Sequence, residues 1–500
     1  MAFELEPFAE IGLSAQALGR LLDAHDRTER PRLARLWSYY RNPEAPRLTL
    51  NDEPGGRRRL AQERGLPGRL TGRRDGLFDD RAPAREIVIE NDIAWRVHAM
   101  VDFMFGKPIS FLSTAADESK RDAIQKILDA VFEASGGIAL LQDMALLGSV
   151  HGHVTLRLRT DGLLGDGARS PGGDLDRVLE QASKLRVEVV EAPRGVAALD
   201  AADYRKLDAF VLRAPMPGAV NDNTPRGRFF ESIRERVGIS RRGNNGELLE
   251  IVSASWRQVY AGGRLIVDEA NPLGVIPVAH IQNISQPLRY EGQSEVEPLI
   301  PLQDELNTRL SDRANRVTMQ SFKMYLAKGL DGFGDGSAPV VGPGRVWTTD
   351  NPDASMQTFG GDASSPSEEK HIDEIRAAMD KTSSVTPLAA GVVEARLGNL
   401  TSSTALRITL LGLLAKTARK QVTYGRGLGE IAGLILRAVD IAGVFRTGAR
   451  DRGVRILWPE SIPTDEREAL ESARIKLELG VDRGRVLAEL GYEPTDPGVV

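Results

Sequence analysis

Two histidines one residue apart, His151 and His153, are the first candidate metal ligands in this chain of 500 residues. The stretch around them, Val150 to Leu158, alternates apolar and polar residues as a strand does, which would place both imidazoles on one face. No third ligand is suggested nearby, and a structural role is the more natural reading. Two Lys-Thr pairs, Lys381-Thr382 and Lys416-Thr417, lack the glycines of a phosphate-binding loop, so no P-loop nucleotide site is encoded. Gly427-Leu-Gly-Glu-Ile-Ala432 matches a dinucleotide-binding fingerprint letter by letter. That motif needs a strand running into it, and here the preceding pattern is helical. Paired carboxylates such as Glu368-Glu369 and Asp373-Glu374 sit beside Lys370 and Arg376 on what reads as a helix face, where solvation or ion pairing is the ordinary outcome. None of the six histidines lies in an H-E-x-x-H or G-x-S-x-G context. The absence of cysteine removes disulfides, thiolate metal sites and cysteine nucleophiles together.

Charge narrows the classes further. Lys and Arg total 65 against 70 Asp and Glu, for a formal net charge of -5, which argues against a protein that coats nucleic acid through overall basicity. The exception is local: Arg57, Arg58, Arg59, Arg64, Arg69, Arg73 and Arg74 fall in a stretch where only Glu63 opposes them. Such a run is either a solvated loop or a contact with phosphates or an acidic neighbour. No segment approaches the roughly 20 apolar residues of a membrane span, and the acidic N-terminal Met-Ala-Phe-Glu-Leu-Glu does not resemble a signal peptide. The expectation is a protein that works where it is made, or in something assembled there.

The elements that would carry these residues can be read from periodicity. Residues 1–40 are helical in pattern, and 42–85 form a long arm interrupted by Pro and Gly. Helical spacing returns from Ile87 to about Leu147. Strands are then expected at Val150–Leu158, 186–192, 208–214, 249–252, 256–260, 265–268 and 275–281, with Gly262-Gly263 as a hairpin turn. A long helix follows from Glu297 to Ser321, with Leu299, Leu302, Leu306, Leu310 and Val317 on one side. A small β-rich insert comes next, with strands at 322–328, 344–348 and 355–359, and then a helix from Pro366 to Ser384. A loop over 386–400, broken by Pro387, Gly391 and Gly398, precedes a helical pattern from Thr401 to about Val444, where three glycines suggest a kink. The tail holds a strand at 454–458 and helices at 464–480 and 482–490. The class is α+β.

Several segments, in this order, are similar to one family. Ile93 to Ile109 (IAWRVHAMVDFMFGKPI) resembles an early helix with its terminal turn. Asn271 to Asn283 (NPLGVIPVAHIQN) resembles a strand before a stem, and Gly292 to Asn307 (GQSEVEPLIPLQDELN) the start of the stem helix. Thr401 to Arg407 (TSSTALR) resembles the start of the helix after a tunnel loop, although Ser403 or Thr404 stands where glycine is common. Ile456 to Pro463 (ILWPESIP) and Leu479-Gly-Val resemble the C-terminal region. Together they resemble the portal proteins of tailed bacteriophages of the siphovirus type, over roughly residues 85–492.

The resemblance implies a portal-type subunit: a mixed wing (1–293), stem helices (294–321 and 366–385), a clip (322–365), a tunnel loop (386–400), a long channel-to-wing helix with a wing return (401–458) and a helical crown (459–500). It implies a structural ring, usually of twelve subunits, at one capsid vertex. Double-stranded DNA would pass through the ring during packaging and ejection, and the terminase large subunit, a head–tail adaptor, the major capsid protein and the scaffold would dock on it. The location would be the virion, after assembly in the host bacterial cytoplasm. Neither enzymatic activity nor a cofactor, a metal or a membrane is implied. The tunnel loop would present Arg396, Glu394, Val392, Val393, Leu397 and Asn399 to DNA. The stem would present Lys370, Arg376 and Lys381 to the channel, and the clip would dock partners through Lys323, Lys328, Arg345 and Trp347. The readings set against this are a metal-dependent phage nuclease and another virion adaptor ring.

Overall fold

Alternating apolar and polar residues across the middle of the chain do form an antiparallel β structure, and the long 3.6-period stretches do form helices. The computed structural model describes residues 5–6, 13–44, 60–71, 73–74, 77–78, 85–164, 173–215, 247–321, 324–328, 351–353, 355–359, 365–387, 407–459, 466–480 and 486. In chain order the strands are β1 (Arg73–Arg74), β2 (Leu77–Phe78), β3 (Ser110–Ser113), β4 (His153–Arg159), β5 (Arg186–Glu191), β6 (Gly195–Leu199), β7 (Leu207–Pro215), β8 (Glu247–Ser253), β9 (Trp256–Ala261), β10 (Arg264–Ala270), β11 (Val278–Gln282), β12 (Met324–Lys328), β13 (Ser355–Phe359) and β14 (Val454–Leu457). The chain divides into two units. The first comprises Met1–Tyr40, Ala94–Pro298 and Ser383–Val500, and the second Arg41–Ile93 and Leu299–Thr382.

The first unit is built on a five-stranded antiparallel sheet in the order β10-β9-β8-β7-β6 and a three-stranded sheet in the order β11-β4-β5. Gly262 and Gly263 both have positive φ, 60° and 87°, and join Ala261 to Arg264 as the two-residue turn that the twist of a hairpin favours. The inner strands of the larger sheet are apolar on both faces because both are covered. On one face Leu249, Ile251, Ala209 and Tyr260 pack against Leu18 and Leu22 of the helix Ala15–Ala24, which Ser14 caps by accepting from the Ala17 amide at 3.1 Å. On the other face Phe210, Leu212 and Val252 meet Val190 of β5, with Ile276 and Val278 beside them. β14 pairs with β3 in a separate two-stranded ribbon.

The long helix runs unbroken as an α-helix from Leu411 to Ile441, after a helical turn at 407–409. Its 31 residues correspond to about 47 Å. The glycines that suggested a kink let it approach the sheet instead. A Cβ on Gly427 would stand 2.2 Å from Ile281 Cγ1 on β11, so only glycine fits there. This is what the dinucleotide-like spacing encodes: close helix–sheet packing in mid-helix. Among the described residues no single helix is long and apolar enough to cross a membrane.

The second unit contains the helix Ile300–Ser321, the hairpin of β12 and β13, the helix Pro366–Ser383 through Thr382, and the arm 41–93. The arm is more ordered than its composition suggests, with a 3-10 turn at Ala61–Gly65, a helical turn at Gly68–Thr71 and the short ribbon β1–β2. Its last part, 85–91, is extended rather than helical. The cause is a ladder of side chains on the helix Ile300–Ser321. The amides of Asp92, Glu90, Val88 and Glu86 donate to Gln303 Oε1, Asn307 Oδ1, Ser311 Oγ and Asn315 Oδ1, each at 3.0 Å. Gln303, Ser311 and Asn315 in turn donate to the carbonyls of Glu90, Val88 and Glu86. Four helical residues rise about 6 Å and two extended residues about 6.6 Å, so the i, i+4 row stays in step with alternate residues of the arm. The face of this helix that is buried most completely therefore includes the polar Gln303, Asn307 and Ser311, while Leu302 and Leu310 remain partly open.

Candidate functional site

Side-chain pairs within the second unit fix the two helices and the arm. Arg316 pairs with Glu368, and Asp312 accepts from Arg69 Nη2 at 2.8 Å within a two-pronged contact. One of the arm's many arginines therefore meets an acidic neighbour, as one reading of that basic run required. Arg376 Nη2 lies 2.7 Å from Glu90 Oε2 on the arm. Lys370 and Lys381 are exposed, and among the described residues neither makes an ion pair. Eleven residues apart, they share one face of their helix, and Arg376 stands about a third of a turn away from it. The structure thus groups two of the three stem cations and engages the third.

Between the helices, β12 and β13 pair antiparallel from Met324↔Phe359 to Lys328↔Ser355, as their alternation suggests. Lys328 closes that hairpin's outer end. Lys323, Arg345 and Trp347 lie outside the described residues, as does the strand expected at 344–348. The whole set Val392, Val393, Glu394, Arg396, Leu397 and Asn399 also lies outside them; of 386–400 only Thr386 and Pro387 are described.

Described residues on either side of that segment, Ser383 and Lys416, belong to a buried polar cluster in the first unit that sequence reading missed. Lys416 and Lys420, one helical turn apart, reach the two oxygens of Glu295, each at 2.6 Å. Lys416 also donates to the carbonyl of Ser383 at 2.7 Å, which ties the end of the preceding helix to the start of the long one. Lys420 donates to Ser149 Oγ at 2.9 Å, and Tyr424 donates to Asn283 Oδ1 at 3.0 Å. Gly148 makes the room: a Cβ there would lie 2.2 Å from the Tyr424 hydroxyl. Burial alone would raise the Glu295 carboxyl, but the two ammonium groups override it and hold it at about 2. Burial brings Lys420 down to about 8 against the pull of Glu295. The only sequence signal for this cluster is the i, i+4 spacing of two lysines on an otherwise apolar helix face.

A second buried network joins the two sheets. Glu250 on β8 receives Arg157 Nη2 at 2.6 and 2.7 Å and Arg257 Nε at 2.8 Å. Arg257 continues to Glu269 at 2.8 Å and lies 3.9 Å from Asp161. The cleft it lines holds Arg157, Arg159 and Arg257 against Asp161, Glu250 and Glu269, so it offers an anion no unopposed charge.

The histidine pair is divided between elements. His151 ends the helix Gly137–His151, Gly152 caps it with φ 93°, and His153 opens β4. The two imidazoles do not share a strand face. His151 stacks on Trp37 at 5.8 Å, while His153 lies 5.4 Å from His280, which stacks on Tyr290 at 3.7 Å. Burial is the first cause of a lowered pKa in all three: His151 and His280 fall to about 4, and His153 lies well below its ordinary value. Among the described residues no three His, Asp or Glu side chains are arranged to hold a metal ion.

Comparison with known proteins adds one decisive match. A model of the family described as phage portal protein, SPP1 Gp6-like, matches residues 20–480. No curated protein matches the chain. Among solved structures, the chain is similar to one from the virion of a native gene transfer agent particle, at 12% identity and TM-score 0.39. It is also similar to one from the neck of such a particle computed with C12 symmetry, at 13% and 0.40. Each alignment covers 81% of this chain and 90% of the other.

Proposed function

This chain belongs to the SPP1 Gp6-like phage portal protein family, and we propose that it is one subunit of a closed ring, twelve copies around, through which double-stranded DNA enters and leaves a capsid. Its function is that of the family, a structural head–tail connector in the virion, and the family match over residues 20–480 is the observation that carries it. A nuclease reading is not favoured. The family is a structural one, and in the proposed mechanism the chain hydrolyses no nucleotide; the force for packaging comes from a separate ATPase, the terminase large subunit, docked on the segment 322–365. The same segment, with Lys323, Lys328, Arg345 and Trp347, later receives the head–tail adaptor. The major capsid protein and scaffold meet the outer rim, and assembly takes place in the host bacterial cytoplasm.

Two physical observations support a bore that passes DNA without holding it. The net charge is -5, so the chain as a whole does not hold phosphates through overall basicity. The free cations of the helix Pro366–Ser383, Lys370 and Lys381, are few and stand among carboxylates such as Asp373 and Glu374. The reading is tested by negative-stain imaging and native mass spectrometry of the pure protein: closed particles with a central hole are expected, and a strict monomer at micromolar concentration would overturn it.

The loop 386–400 then lines the narrowest part of the channel. Val392, Val393 and Leu397 give small apolar surfaces beside Asn399, and Arg396 is its one cation against Glu394. A ring of arginines makes transient phosphate contacts, individually weak enough for passage. With Arg396→Glu the ring is expected to assemble normally, while the packaging rate or the retention of packaged DNA acquires a changed salt dependence. Wild-type packaging and retention at every salt concentration would remove Arg396 from the DNA path.

A further inference from the structure

Five of the six histidines of this chain lie in or beside one seam of the first unit, and the proposed function uses none of them; the sixth, His371, is in the second unit. One side of the seam is the segment His25–Tyr40, formed by the π turn His25–Glu29 and the helix Arg30–Arg41. It contributes His25 and Arg32, stacks Trp37 on His151, and sets the Tyr40 hydroxyl 3.1 Å from His98 Nε2. The other side contributes His151 from the end of its helix and His153 from β4, with His280 of β11 beside His153. Two features weaken this seam. A cavity of about 300 Å³ lies between Leu33, Ala34 and Trp37 of the segment and Leu147, His151 and Pro193. The segment also has its own hinge. The π turn, followed by Pro31, which donates no amide, separates it from the helix Ala15–Ala24, whose Leu18 and Leu22 are held by the larger sheet.

The seam accommodates neutral imidazoles and has no place for charged ones. Among the described residues Nδ1 of His25, His153 and His280 has no hydrogen-bond partner, and His151 has only the Leu147 carbonyl nearby. A proton added to these rings therefore gains no acceptor. Positive charge already stands on the segment's side: Arg32 opposes protonation of both His151 and His153, and Arg30, with Arg213 of β7, opposes that of His25. The carboxylates of the segment are engaged. Asp26 accepts from Arg213 Nη2 at 3.1 Å, and Arg32 lies 3.0 Å from Glu29 and 2.9 Å from Glu297. Asp26 and Glu29 favour a charged His25 but do not prevail. Glu191, which lines the cavity, makes no ion pair among the described residues, and it is one carboxylate against three imidazoles. Burial keeps the Tyr290 phenol protonated, so it offers the stacked His280 no negative charge.

We propose that His25–Tyr40 is an acid-released strap: as the imidazoles of the seam take up protons, like charges build on both of its sides, and the segment swings out about the π turn while both sheets of the first unit stay paired. This goes beyond the ring reading and does not rest on it. Hydrogen exchange of the full chain, followed by mass spectrometry, tests it. Between pH 7.5 and 5.0, protection factors over 25–40, corrected for the intrinsic pH dependence of exchange, are expected to fall at least about tenfold further than those of β4, β8 and β11, and to recover at pH 7.5. His151→Phe keeps a ring against Trp37 but cannot take up a proton, and it is expected to shrink that fall at least about threefold. Unchanged protection over 25–40 in the wild-type chain, or a fall shared equally by the strands, would overturn the strap. So would a fall in His151→Phe as large as that of the wild type. The wild-type comparison needs no substitution, so a variant that does not fold leaves the test standing.

Discussion

Replacing Glu295 with alanine is expected to destabilise the first unit by about 3–5 kcal/mol, the usual cost of removing one partner from a buried ion pair. Lys420 is wholly buried, and Lys416 nearly so. Without the carboxylate, two ammonium groups one helical turn apart face each other, with only Ser149 Oγ and the Ser383 carbonyl as acceptors. Lys420 already sits near 8 because of burial, so it responds by losing its proton, and that loss is part of the cost. The double variant Glu295→Leu with Lys420→Met removes both buried charges and is expected to recover most of the stability. Lys420→Met alone should cost less than Glu295→Ala, since Lys416 continues to neutralise Glu295. Urea denaturation at pH 7, followed by circular dichroism, measures all three. A loss below about 1 kcal/mol for Glu295→Ala would mean that the cluster is not held as closely as its 2.6 Å contacts state.

This cluster also marks where sequence reading stops. Antiparallel strands, the Gly262-Gly263 turn and the order helix, hairpin, helix, long helix were legible because each depends on a local period or on one turn. The seven-strand expectation missed β3 and β6, which are only four and five residues long. It also read 87–91 as helix, because the apolar Ile87 and Ile89 run on towards Ile93. What makes that segment extended is a row of amides and hydroxyls more than 200 positions away, and no local pattern in the arm encodes it. In sequence Lys416 forms with Thr417 only an incomplete phosphate motif, since nothing local announces that Glu295 lies beneath it. The alternation around His151 and His153 suggests one strand, because nothing local shows that the glycine between them ends a helix. For most of the side chains expected at DNA or a docking partner, the sequence offers family likeness and no local chemical signal. Of them, Arg376 is engaged by Glu90, a residue of the arm that only the fold brings near.

Acidification from pH 7.5 to 5.0 is expected to remove about 2 kcal/mol of stability for each of His151 and His280, with a further loss from His153. All three are buried, and burial favours their neutral rings. In the unfolded chain a histidine takes up its proton near 6.5, whereas in the fold His151 and His280 do so only near 4. Between those values the unfolded chain binds more protons, so stability falls as the pH drops through this window and levels off below about 4. Neighbouring charge acts in the same direction: Arg32 opposes protonation of His151, and His280, His151, Arg32 and His25 oppose that of His153. The buried carboxylates do not confuse the result. Glu295 at about 2 and Glu250, also lowered, keep their contribution until the pH falls below their unfolded values near 4.5. Urea midpoints at pH 7.5 and 5.0 give the total. His280→Gln, which can still donate to the Tyr290 carbonyl that His280 Nε2 meets at 2.8 Å, should shrink the difference by about 2 kcal/mol. Equal midpoints at the two pH values would show that these rings reach water in the folded protein, which their burial between β4, β11 and the helix bearing Trp37 does not allow.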